Sequence, residues 1–306
     1  MEAFEKARKF IYKNARPVDL ARWQYHFENG SREAVLQALQ VYQNEDGGYG
    51  HGLEPDHWNP NSTPIAVWEA CRILRELECL HSTNPQVQGI LRYLASGKEF
   101  SEGKWFNQVP STVSYPHAIW WESPVGVPAD NPTVSLAGTI LRTGETTLYQ
   151  KAQAIAETAV ASFLNEPTSE MHTLVVYLEL LQDCEEIQYQ PVLANECFRE
   201  ILFQQIRHTV SNEPEEWFTS YVSKPSNFFF TREQLLGIFS EELCKKEAQK
   251  ILEHQQADGS FVFHGNGERI TQSFSLVNSG GNQLLSLKFF VFAGFSRRTF
   301  LKSAIF

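Results

Sequence analysis

The chain has 306 residues, 42% hydrophobic and 20% charged, enough material to bury a sizeable core in one large domain or two small ones. Its formal charge of −10 at pH 7 argues against a nucleic-acid backbone or an anionic membrane as the main partner, because both repel an acidic surface. Five cysteines (Cys71, Cys79, Cys184, Cys197, Cys244) are odd in number and form no CxxC pair, which speaks against a disulfide framework or a thiolate zinc knuckle.

Met1 to Lys13 interleaves charged and apolar residues and lacks the apolar run of a signal peptide, so the expected location is the cytoplasm, starting from Met1. Apolar spacing of three and four residues then predicts helices over Asp19 to Glu28 and Ser31 to Gln43, with Gly30 as a left-handed stop between them. A capping residue followed by proline marks three helix starts: Thr63-Pro64, Asn84-Pro85 and Asn131-Pro132. The cap oxygen accepts from a first-turn amide, and proline has no amide to leave orphaned there. Gly144 closes the third of these helices. Further helices are predicted over Thr146 to Leu164, Ser169 to Leu181, Pro191 to His208 and Thr231 to Gln256. The longest apolar run, Leu284 to Phe295, is broken by Ser286 and Lys288 and is too short for a membrane span. With no run of alternating strands, the class is all-α, with about ten or more helices in antiparallel pairs.

Two distant loops share a pattern: Gln43-Asn44-Glu45-Asp46-Gly47-Gly48-Tyr49 and Gln255-Gln256-Ala257-Asp258-Gly259-Ser260-Phe261. Gly103-Lys104-Trp105-Phe106 is a weaker relative. Each follows a predicted helix and places glycine before an aromatic residue, a device for packing one hairpin on the next. Gly47 and Gly48 are both expected to supply positive φ.

These repeats resemble the QW-type repeat of squalene and hopene cyclases and the prenyltransferase repeat. The run from Asp46 to Asp56, with Trp120-Trp121 and Asn131-Pro132-Thr133 downstream, resembles a bacterial branch of that terpenoid-cyclase and protein-prenyltransferase group. The resemblance implies a single α/α-toroid domain over residues 1–306, a closed ring of helix pairs around a central cavity. Residues 262–306 depart from the pattern expected at the closing seam. The Asp-x-Asp-Asp acid of class II cyclases is absent, and the zinc ligands of prenyltransferases do not map onto this chain, so no metal site is assigned and the cofactor is unknown.

Candidate chemistry falls in two segments. His51, Glu54 and Asp56 lie within six residues of a glycine-rich loop, where two acids can divide general acid and base work; the alternative is backbone capping with a buried His51. Tyr115 to Glu122 sets His117, Trp120, Trp121 and Glu122 together, suited to shaping an apolar slot, stacking on a sugar or packing the ring. The assignment is therefore His51, Glu54, Asp56 and Glu122 as catalytic groups, with Tyr49, His117, Trp120 and Trp121 contacting ligand. Asn131 is read as a helix cap. The two segments are expected to meet at one concave rim. The function expected is a small-molecule enzyme or binding protein using the toroid cavity, with a terpenoid as the ligand that the resemblance implies. A carbohydrate hydrolase, lyase or epimerase and a non-catalytic scaffold are the alternatives.

Overall fold

The computed structural model describes residues 2–122, 125–144, 146–229 and 231–261. They fall into two compact units, one continuous over Leu39–Ile206, the other formed by residues up to 38 together with those from 207 onward. The regular structure is almost entirely helical: twelve α-helices and one two-stranded hairpin among the described residues. None of these helices is long and apolar enough to cross a membrane.

The continuous unit is built on α4 (Pro64–Glu76), α5 (Pro85–Ala95), α6 (Asp130–Thr143), α7 (Thr146–Asn165) and α8 (Met171–Glu186). Thr63 Oγ1 caps α4 at Ala66 N (3.2 Å) and Asn84 Oδ1 caps α5 at Gln86 N (2.9 Å), each with proline in the first turn, as the sequence leads one to expect. The third signal behaves differently. The Asn131-Pro132 bond is cis, Asn131 has non-helical φ/ψ inside α6, and its buried Oδ1 has no hydrogen-bond partner among the described residues, so it does not cap the helix. Gly144 ends α6 in the left-handed conformation (φ 66°). Instead of a Ser169 start, α8 is capped by Glu170, whose carboxylate accepts from His172 N and Thr173 N. The expected helix from Pro191 to His208 is two, α9 (Gln190–Leu193) and α10 (Glu196–Thr209).

The inward faces of α4, α6 and α8 carry charge, not only apolar groups. Trp68, Arg72 and Arg75 on α4, Ser135, Thr139 and Arg142 on α6, and Glu179 and Asp183 on α8 recur at helical spacing. Glu179 and Asp183 are fully buried. Asp183 accepts from Arg75 Nη2 (2.6 Å), Arg75 Nε (3.2 Å) and Arg142 Nη1 (3.3 Å). Glu179 Oε2 accepts from Trp68 Nε1 (2.6 Å) and Ser135 Oγ. Arg72 Nε lies 3.1 Å from Glu179 Oε1, near enough for an ion pair but without hydrogen-bond alignment. Gly138 admits the network: a Cβ there would stand 3.0 Å from Asp183 Oδ2 and 3.2 Å from Leu180 Cα.

The second unit contains α1 (Glu2–Asn14), α2 (Pro17–Phe27), α11 (Arg232–Ile238) and α12 (Glu241–Glu253), and α3 (Arg32–Gln40) spans the limit between the units. Phe4 stacks on Trp23 (5.1 Å), and Trp23 Nε1 donates to Glu28 Oε1 (2.8 Å). The stop after α2 is made by Asn29 (φ 60°), not by Gly30, whose amide instead donates to Gln24 O (2.8 Å). The expected helix from Thr231 to Gln256 is α11 and α12, with Ser240 capping the latter at Leu243 N (3.2 Å).

The two related loops have one geometry, each inside its own unit. Gln43 pairs with Tyr49, and Gln255 with Phe261, as isolated antiparallel bridges. Asp46 Oδ1 accepts from Gly48 N (3.0 Å), and Asp258 Oδ1 from Ser260 N (2.9 Å). Gln43 Nε2 donates to its own loop at Gly47 O and to helix α5 at Gln86 O, both 3.0 Å. Gln255 Nε2 likewise donates to Gly259 O (3.1 Å) and to helix α1 at Ala3 O (2.8 Å). Gly47 (φ 91°) and Gly259 (φ 95°) lie so close to those helices that a Cβ would stand 2.1 Å from Gly89 O and Lys6 O respectively. Gly48 does not have positive φ; its constraint is Ser62 Cβ, 2.5 Å from where its own Cβ would stand. The third loop works otherwise: β1 (Phe100–Ser101) and β2 (Lys104–Trp105) form a hairpin turned by Glu102 and Gly103, both at positive φ.

Two predictions follow from packing. Gly47→Ala should cost roughly 3 kcal/mol or more, since strain adds to a clash with backbone, whereas Gly97→Ala, also at positive φ but facing open space, should cost about 1–2 kcal/mol. Equal losses in urea unfolding would show that docking on α5 is not what Gly47 serves. Arg75→Met should destabilise by about 3–5 kcal/mol by leaving buried Asp183 with only the longer Arg142 contact, and much of that should return in Arg75→Met/Asp183→Leu. A double variant no more stable than the single one would place the loss in packing instead of charge.

Candidate functional site

The segment after Tyr49 is tied back on itself by its backbone. Gly50 N donates to Tyr42 O (3.1 Å), His51 N to Asn59 O (2.8 Å) and Thr63 N to Tyr49 O (2.9 Å). Gly50 is required by crowding, since a Cβ would stand 2.3 Å from Asn61 O. His51 holds φ at 57°, a conformation that costs a non-glycine residue energy and persists where its surroundings enforce it. Asn44 supplies that enforcement: its Nδ2 donates to Pro60 O and Ser62 Oγ (both 3.0 Å), which turns its Oδ1 toward His51 Nε2 (2.8 Å). Nε2 of His51 is therefore the donor in this contact and Nδ1 its second ring nitrogen.

Residues 56–58 pair with residues 116–118. Trp58 N donates to Pro116 O (3.0 Å) and Ala118 N to Asp56 O (2.9 Å), which makes His57 and His117 a directly opposed, non-hydrogen-bonded antiparallel pair. Side chains of such a pair stand close together on one face. A single 3-10 turn, Ile119–Trp121, then carries Trp121 back over His57, with ring centroids 5.4 Å apart and planes 22° from parallel. Asn59 Nδ2 adds a bond to Ser111 Oγ (2.7 Å), joining the two segments a second time.

His57 is buried, 3% exposed, and burial together with the neighbouring His117 lowers its pKa to about 4, so the imidazole is neutral at pH 7. His57 Nε2 and the Trp121 indole nitrogen are both buried without a hydrogen-bond partner among the described residues. Such groups are uncommon, and each that persists calls for a reason. His117 Nδ1 donates to Tyr115 O (2.6 Å), which turns its Nε2 away from the backbone.

The expected residues are thus distributed unequally. Asp56, His117 and Trp121 come together through the paired segments; Asp56 is buried and the other two are half-buried. Glu54 is half-buried two residues before the pairing begins, and its carbonyl accepts from His57 N (3.1 Å). His51, Trp120 and Glu122 are exposed, so the alternative of a buried His51 does not hold. Tyr49 is fully enclosed beneath the loop, and its hydroxyl donates to Gln86 Oε1 (3.3 Å). His57 was missed, because a single histidine next to an acid carries no periodicity or spacing; its position between Asp56 and Trp58 was the only available signal.

Among the described residues no group of three or more His, Cys, Asp or Glu could hold a metal ion. Comparison with protein-family models, curated proteins and solved structures yields no match.

The neutral His57 makes stability depend on acid. Its folded pKa lies below the ordinary 6.5, so between pH 6.5 and about 4 the unfolded chain binds the extra proton. Its share of stability is complete above about pH 6.5 and is lost as pH falls toward 4, on the order of 2–3 kcal/mol in all. His57→Phe should flatten that part of the pH profile in chemical unfolding; an unchanged slope would show that His57 is not its source.

Proposed function

We propose that the paired segments 56–58 and 116–121 form the ligand site of a small-molecule-binding protein, and that the ligand is a polar ring of the carbohydrate class. One observation carries this reading: two buried ring nitrogens, on the stacked rings of His57 and Trp121, have no hydrogen-bond partner among the described residues. An isoprenoid would leave both unpaired, at about 1–3 kcal/mol each, whereas hydroxyl groups donate to one and accept from the other. Trp121 covers the imidazole, so entry requires its indole to swing aside, and the exposed face of Trp120 offers a stacking surface at the rim. Asp56 within the paired segments, and His51, Glu54 and Glu122 next to them in sequence, are the groups for proton transfer in this reading, with His51 Nδ1 as the base.

The same reading takes the helices as an α/α toroid of the terpenoid-cyclase and protein-prenyltransferase type. Its support is the two loops that dock on α5 and α1 by matching contacts, as repeated hairpins would.

Calorimetric titration against a panel of mono- and disaccharides, with farnesol and geranylgeraniol as the apolar arm, tests the site. A saccharide is expected to bind the wild type and to bind His57→Phe at least tenfold more weakly, with the melting temperature held within a few degrees. Binding confined to the isoprenols, or a saccharide bound equally well by His57→Phe, would overturn the proposal.

A further inference from the structure

At the far end of α8, a cleft of about 350 Å³ opens where α9 and α10 turn away. That volume suits a small organic molecule. Leu181 and Phe198 are buried in its floor and Leu193 is half-buried beside them, while Glu185, Glu196 and Arg199 bring charge to it.

We infer that this cleft binds a free small molecule carrying a primary ammonium group on an apolar stem, with the ammonium on Glu185 and the stem over Leu181, Leu193 and Phe198. Two carboxylates face one guanidinium in the lining, so the site favours a cation, and the net charge of −10 draws cations to the protein. Glu185 Oε1 is a buried atom in contact with Arg199 Nη2 but without an aligned hydrogen bond. An ammonium, with three freely rotating donors, can make the aligned bond that the guanidinium does not. Arg199 is displaced at little cost, since its side chain is 55% exposed and an ion pair of that kind is worth little. Burial also raises the pKa of Glu185, with Arg199 acting in the opposite sense, which marks a carboxylate short of charge compensation. A carboxylate ligand would meet Glu185 and Glu196 instead, and an alcohol would gain no charge pairing.

Titration of the full chain at physiological ionic strength with n-hexylammonium, hexanoate, hexanol and Nα-acetyl-lysine amide tests the inference. Hexylammonium is expected to bind at one site, hexanoate and hexanol at least tenfold more weakly. Glu185→Gln should weaken hexylammonium at least tenfold, Leu193→Trp should abolish its binding by filling the cleft, and His57→Phe should leave it unchanged, separating this site from the saccharide site. Absence of hexylammonium binding, equal binding of hexanoate or hexanol, or undiminished binding by Glu185→Gln would overturn it. Binding of the lysine derivative alone would assign the cleft to a protein side chain and overturn the small-molecule reading as well.

Discussion

A helix flank has few places to hold a loop, because its backbone donors and acceptors are already committed to one another. This chain uses the spare lone pair of a carbonyl in the first turn. Gln43 and Gln255 each bridge a carbonyl of their own loop to one of a distant helix, at Gln86 O and Ala3 O. The approach is close enough that only glycine fits one helical turn further along, at Gly47 against Gly89 and Gly259 against Lys6. The segment after Tyr49 leaves from that clamp, with Asn44 of the clamped loop holding the strained His51 ahead of the pairing that brings His57 to His117.

Local chemistry was readable and its tertiary consequences much less so. Thr63 and Asn84 cap as their sequence implies, because capping needs only the residue, its proline and the next amides. Asn131-Pro132 has the same letters, yet Trp105 packs against the start of α6, exchanging two hydrogen bonds with Thr133, and the cap is not made. The polar faces of α4, α6 and α8 were invisible for another reason: periodicity treats Arg75, Glu179 and Asp183 as solvent-facing, and only pairing across helices makes their burial tolerable. That a loop near Asp56 and one near His117 lie outside the α-helices was legible in the sequence. That the two would pair with their histidines opposed was not, since register between distant segments leaves no mark in either one. The expected peculiarity of residues 262–306 lies outside the described residues.

Two kinds of buried polarity therefore coexist in the continuous unit. In the helical network every carboxylate has a cation or a donor beside it, so its role is to fix which helices pack and in what register. At His57 and Trp121 the ring nitrogens have no hydrogen-bond partner among the described residues, and burial with His117 alongside keeps the imidazole neutral. The first arrangement balances its charges even though Arg75 Nη1 and Glu179 Oε1 make no hydrogen bond among the described residues, whereas the second is a pair of neutral rings with no charge to balance.

The contact between Gln255 and Ala3 has a consequence for synthesis. Residues 39–206 form a continuous unit whose helices can pack as they leave the ribosome, whereas α1 finds its docking loop some 250 positions later, when residues 255–261 emerge. Until then α1 has α2 against it, with Phe4 on Trp23, but lacks the contacts of that loop at Ala3 and Lys6. Helix α1 is thus fastened in two stages, to α2 at once and to residues 255–261 only after the whole intervening chain has been made.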